Sequence, residues 1–202
     1  LIMFYMTPVW TTIFEIIFLK KKHGWQRIVS LGLALGGLWV VFGQGGNIPL
    51  PENAGAWLAL LGGVMFAGGM IRLEVIKTDG VFPIIFGFFF YGTLFNIGAG
   101  FLLVDYLGPM PSTEAFISMT TFLVLISVFY FIPTGIVILW APTQIGAGIC
   151  SILFLLEIIV GAISSSILTD EPFGWRQIVG CSLIVIGGIV AVVLSPKEDV
   201  SK

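Results

Sequence analysis

Glu157 is the residue whose setting most demands a chemical account. It is the only charged side chain in residues 145–168, among 13 Ile, Leu, Val and Phe residues. At −0.3 to −0.6 kcal/mol each, those residues favour membrane insertion by about 4 to 8 kcal/mol, enough to carry one acid costing roughly 3. An ionisable group in such a place is expected to face the interior of a helix bundle, where it can bind a coupling proton or a cation. The same acid can serve structure alone, hydrogen-bonded to a neighbouring helix. Cys150, Ser151, Phe154, Gly161, Ser164 and Ser165 follow helical spacing around it and form a small, polar stripe.

Other polar groups sit in apolar runs. Thr7, Thr11 and Glu15 recur every four residues with Trp10 beside them. Thr11, Trp10 and Pro8 are candidates to line a solute pathway, although threonines in spans also bond back to their own helix. Glu15 is one turn from Lys20-Lys21-Lys22, so it is expected to snorkel to the membrane surface. His23 is expected to be solvated in the same lysine loop. Tyr130 shares a face with Ser127 and Thr134, beside Pro133, and is a candidate solute contact. Asn96 lies between Gly92 and Gly100, where it would bond across a close helix seam or touch the solute.

The elements that hold these residues are transmembrane helices. Of 202 residues, 57% are hydrophobic and 10% charged, against about 25% charged in soluble domains. Seven apolar spans can be read, at about 1–19, 25–43, 54–76, 81–104, 115–139, 143–168 and 173–194. Turn-forming residues separate them, among them Ala141-Pro142-Thr143. The expected class is therefore an all-α, polytopic bundle whose main partner is the lipid bilayer. Placing the first loop in the cytoplasm puts eight of nine Lys and Arg residues inside, with Arg176 outside. The C-terminal tail, 195–202, is then cytoplasmic.

The chain also repeats itself. Aligning residues 1–43 with 151–193 gives 11 identities, including Gly24-Trp25-x-x-Ile28-Val29 against Gly174-Trp175-x-x-Ile178-Val179. The matched spans are five apart, so the copies run oppositely through the membrane. Lys20-Lys21 in one copy stands at the place of Asp170-Glu171 in the other. Inverted repeats of this kind are characteristic of secondary transporters.

The runs from Pro8 to Gly37 and from Leu156 to Gly188, with Ala56-Trp57-Leu58-Ala59-Leu60-Leu61-Gly62-Gly63, resemble the EamA repeats of the drug/metabolite transporter superfamily. The resemblance implies helices four to ten of a ten-helix protein. Residues 1–43 would end the first EamA repeat and residues 54–194 would form the second. It also implies a bacterial inner-membrane exporter of a small-molecule solute, working by alternating access, with a homodimer compatible with that architecture. A chain lacking the first three helices is not expected to transport alone. Two departures stand out. Ile158 replaces a frequent proline, which predicts a straighter helix, and Lys20-Lys21-Lys22 replaces a usual Gly-Glu.

Other classes fare less well. There is one histidine and two separated cysteines, with no paired nucleophile and base and no cluster of metal ligands in sequence. An intramembrane enzyme, a catalytic residue, a metal or a cofactor is therefore not expected. No basic cluster suggests nucleic acid. A seven-helix receptor remains an alternative, though a duplicated pair of spans is unexpected in one.

Overall fold

The computed structural model describes residues 3–43, 53–76, 82–102, 112–168 and 174–193, and every regular element among them is helical. The loop residues Glu52, Lys77, Asp105, Asp170, Glu171, Lys197 and Lys202, and the tail 195–202, lie outside the described residues. A short 3-10 turn, Phe4–Met6, leads into α1 (Thr7–Phe18), followed by α2 (Trp25–Phe42), α3 (Ala54–Val75) and α4 (Phe82–Leu102). Then come α5 (Thr113–Ile126), a π-helical turn (Ser127–Phe131), α6 (Ile132–Ile145), α7 (Ala147–Leu153), α8 (Leu156–Leu168) and α9 (Trp175–Val193). Six segments among the described residues are long and apolar enough to cross a membrane: α2, α3, α4, the continuous α5–α6, α7–α8 and α9. Phe4–Phe18 is a shorter apolar helix. Large apolar side chains cover the outside, Phe82, Phe95, Phe101 and Leu168 being examples. Water would not tolerate that surface, whereas lipid does. The chain is an integral membrane protein built from helices.

Two compact units can be distinguished, residues 1–75 with 142–202, and residues 76–141. The first has a core of Ala34, Leu38, Ile152, Leu155, Ile158, Ile184 and Ala191. Its tightest seam joins α2 and α9. Gly187 lies so close that a Cβ there would stand 3.0 Å from the Ser30 carbonyl and 3.2 Å from the Ala34 Cβ. A Cβ on Gly37 would meet the Gly180 carbonyl at 2.5 Å and the Ile184 nitrogen at 3.0 Å. Residues low in α2 thus meet residues high in α9, so the pair is antiparallel. The Ser30 hydroxyl donates to the Gly187 carbonyl at 2.7 Å, fully buried. Glycine is required here because lipid supplies no hydrophobic drive between helices, and close backbone approach supplies the attraction instead. Arg176 adds a tie at one end by donating to the Gly43 carbonyl.

Three local expectations are corrected. The turn expected at Ala141-Pro142-Thr143 does not form, and Pro142 lies inside α6. The chain turns four residues later at Gly146, with φ 82° and ψ 151°, a conformation open essentially only to glycine. The segment 147–168 is interrupted rather than straighter. At Phe154–Leu155 it tightens, with Leu155, Glu157 and Ile158 each bonding three residues back at 3.1 Å. No proline is needed for this. A three-residue turn brings Ile152, Leu155 and Ile158 onto one side, and all three are buried in the core. Asn96 does not bond across a seam; its amide donates to Gly92 of its own helix at 2.8 Å.

In the second unit the helix ladder slips ahead of Pro133. That proline cannot donate to the carbonyl four residues back, and the Ile132 N–H reaches the Ser127 carbonyl five residues back.

Replacing Gly37 with Ala must push α2 from the backbone of α9, so Gly37→Ala should lower stability by about 1–3 kcal/mol. Ser182→Ala, on the exposed side of α9, should stay within about 0.5 kcal/mol. Thermal unfolding of the detergent-solubilised variants checks both; equal midpoints would contradict the seam.

Candidate functional site

Two polar places stand out in the first unit. One is the interruption in the segment 147–168. Glu157 lies in the first turn of α8, ten residues from Ala147 and so about 15 Å along the span, near the middle of a ~30 Å hydrocarbon layer. Its side chain is exposed, not packed inside the bundle as the sequence suggested. An acid on an open face at that depth requires water or another polar surface beside it. Aromatic rings flank the interruption. The Phe154 ring lies tilted 5.9 Å from that of Phe66, which lies 5.7 Å from Phe4, and Tyr5 is within electrostatic range of Glu157.

The second place lies at the end of the spans, where Glu15 gathers charge. Glu15 is 3% exposed, so it does not snorkel to the surface. Its carboxylate lies 3.4 Å from the Arg27 guanidinium of α2 and 3.5 Å from the Lys21 ammonium. The His23 Nε2 is 3.4 Å away, an ion pair when the imidazole is protonated. The Gly148 N–H donates to Glu15 at 3.1 Å. Glu74 of α3 completes the group by accepting from the Ala147 N–H at 2.9 Å and pairing with Lys21 at 2.5 Å.

Local sequence builds this cluster. Lys20 takes the left-handed conformation, φ 53°, as α1 ends, and the Lys21 N–H bonds back to the Glu15 carbonyl at 3.2 Å. That tight return turns Lys21 and His23 toward the acid. Gly146 turns the chain so that the first N–H groups of α7 point at both carboxylates; its own side of the helix offers no side-chain cap. Gly148 leaves room for the cluster, since a Cβ there would overlap Arg27 and Glu15. The carboxylates therefore cap α7 from other helices, while three basic groups balance two acids. Charges this deep persist only when so paired.

The remaining candidates are scattered. Thr11 is fully buried and its hydroxyl donates to the Thr7 carbonyl at 2.9 Å. The Trp10 indole N–H is buried without a hydrogen-bond partner among the described residues. Tyr130 lies in the π-helical turn, exposed and ring to ring with Phe131 at 5.4 Å. Asn96 is exposed on α4. Tyr130 and Asn96 belong to the second unit, so the structure does not join them to Glu157. Sequence reasoning missed Tyr5, Arg27 and Glu74. Arg27 and Glu74, charges a few residues inside the ends of spans, carried a signal, because each needs a partner there.

Removing the deep acid should cost more than removing the outer one. Glu15→Gln removes the carboxylate charge beside buried Arg27 and should lose about 3–5 kcal/mol. Glu74→Gln, at the more accessible rim, should lose about 1 kcal/mol. Unfolding in detergent separates them, and equal losses would contradict this ranking.

No protein-family model matches the chain, and no curated protein or solved structure matches it either.

Proposed function

We propose that this chain belongs to a secondary-active transporter that moves a small solute across the membrane by alternating access, with Glu157 in the solute or coupling-ion pathway. The observation that carries the reading is an ionisable residue at mid-span, on an open face, in the turn after a helix interruption. Transporters use such interruptions to turn backbone groups and charges toward the solute at the bilayer midplane.

Inverted repetition is supported by the α2–α9 seam. Adding 150 to Ala34 gives Ile184, and adding 150 to Gly37 gives Gly187. The approaches of Gly37 to Ile184 and of Gly187 to Ala34 are therefore each other's images under the repeat. The approaches of Gly37 to Gly180 and of Gly187 to Ser30 exchange in the same way. Two antiparallel helices with exchanged contacts have an approximate two-fold axis between them, as inverted repeats require. The EamA-like motifs and seven spans fit this reading, with the lysine loop and C-terminus in the cytoplasm of a bacterial inner membrane. The solute is the partner sought, and a proton or cation is the coupling ion.

Metabolite profiles of cells with and without the protein would nominate the solute. Its flux should then fall at least roughly tenfold in Glu157→Gln, with the unfolding temperature kept. Unchanged, pH-dependent flux in that variant would remove Glu157 from the pathway.

A further inference from the structure

The ion cluster and the helix interruption bound one short piece of chain. The helix α7 is seven residues long, between the glycine turn at 146 and the tightened turn at 154–155. Both ends are backbone discontinuities, the positions where hinges absorb motion. Ala147, Gly148, Cys150, Ser151 and Ile152 are all buried, so α7 plugs the interior of its unit. Its first turn is held by Glu15 and Glu74, each from a different helix, with Lys21 between the two carboxylates.

We infer that α7 is a movable plug and that the Lys21–Glu74 pair, with Glu15 behind it, is the latch that keeps it shut. This rests on the transporter reading and adds a gate to it. The parts divide the work by depth. Glu15 and Arg27, with side chains 4% and 6% exposed, form a fixed anchor between α1 and α2. Lys21 and Glu74, at 17% and 16%, form the rim that water reaches first. Releasing the rim frees the Ala147 N–H and leaves the Gly148 N–H bond to Glu15 as the last hold on the first turn; when that single bond parts, α7 swings about the 154–155 turn, opening a path from the lysine loop toward Glu157. His23 and Arg27 face the same carboxylate and hold Glu15 in place while Glu74 lets go. The Cys150 thiol, 2% exposed and within electrostatic range of Glu74, rides on the plug.

That thiol and Cys181, buried in α9, give a direct readout. In protein reconstituted into liposomes, N-ethylmaleimide labelling of each cysteine is followed by mass spectrometry. Glu74→Gln keeps an acceptor for the Ala147 N–H while removing the ion pair, and Lys21→Met removes it from the other side. Cys150 labelling should accelerate roughly tenfold in both, with Cys181 as protected as before. Unchanged Cys150 labelling in both variants would overturn the latch. Equal acceleration of both thiols would overturn it too, since the cluster would then only hold the fold together. Acceleration of Cys150 alone supports the latch whether or not Glu157→Gln abolishes flux, so the two readings fail separately.

Discussion

The architecture of the first unit depends on one buried carboxylate. Glu15 is surrounded by hydrocarbon-facing helices, where an isolated charge would cost several kcal/mol. Its solution is to gather Arg27, Lys21, His23 and the Gly148 N–H within hydrogen-bonding or ion-pairing range. The partners come from the α1–α2 loop, from α2 and from α7, so satisfying the acid fixes the end of α1, the turn into α2 and the start of α7 together. Glu74 extends the arrangement to α3. The glycine turn at 146 and the bare Gly148 are the backbone's side of the same constraint, because Gly146 takes a positive-φ conformation that side chains disfavour and a Cβ at Gly148 would overlap Arg27 and Glu15.

The α2–α9 seam solves a different problem with different means. Lipid tails are as apolar as the helix surfaces, so exclusion of water does not hold helices together. Small residues allow the backbones to touch, and one buried hydroxyl, Ser30, adds a directional bond. The charge cluster specifies which ends meet, and the glycine seam supplies area. Between them sits α7, tied to the first and packed against the second through Ile152.

The spans were legible in the sequence because length and hydropathy decide them: the expected 25–43, 54–76 and 173–194 differ from the helices by one or two residues. The kinks were not. Pro142 looked like a loop and is carried inside a helix, because its neighbours keep the ladder on both sides. The interruption at Phe154–Leu155 has neither proline nor glycine, and arises from core packing of residues three apart. Glu157 could be placed on its span from the sequence, but its open face depends on which elements surround it. Glu15 misled for a related reason. The lysines beside it suggested a surface, while the partner that draws it inward, Gly148, is 133 residues away. Glu74 carried a signal by its place in the span, but not its partners, which are an ammonium in another loop and a backbone amide in another helix.

The spacing of the Glu15 partners bears on how the chain enters the membrane. Lys21 is six residues from Glu15 and Arg27 is twelve, so the α1–α2 hairpin carries acid and base together, independently of the segments that follow it. A hairpin that neutralises its own acid can leave the translocon as a unit, without waiting for α7 to be made. The later amide then joins a charge already at rest.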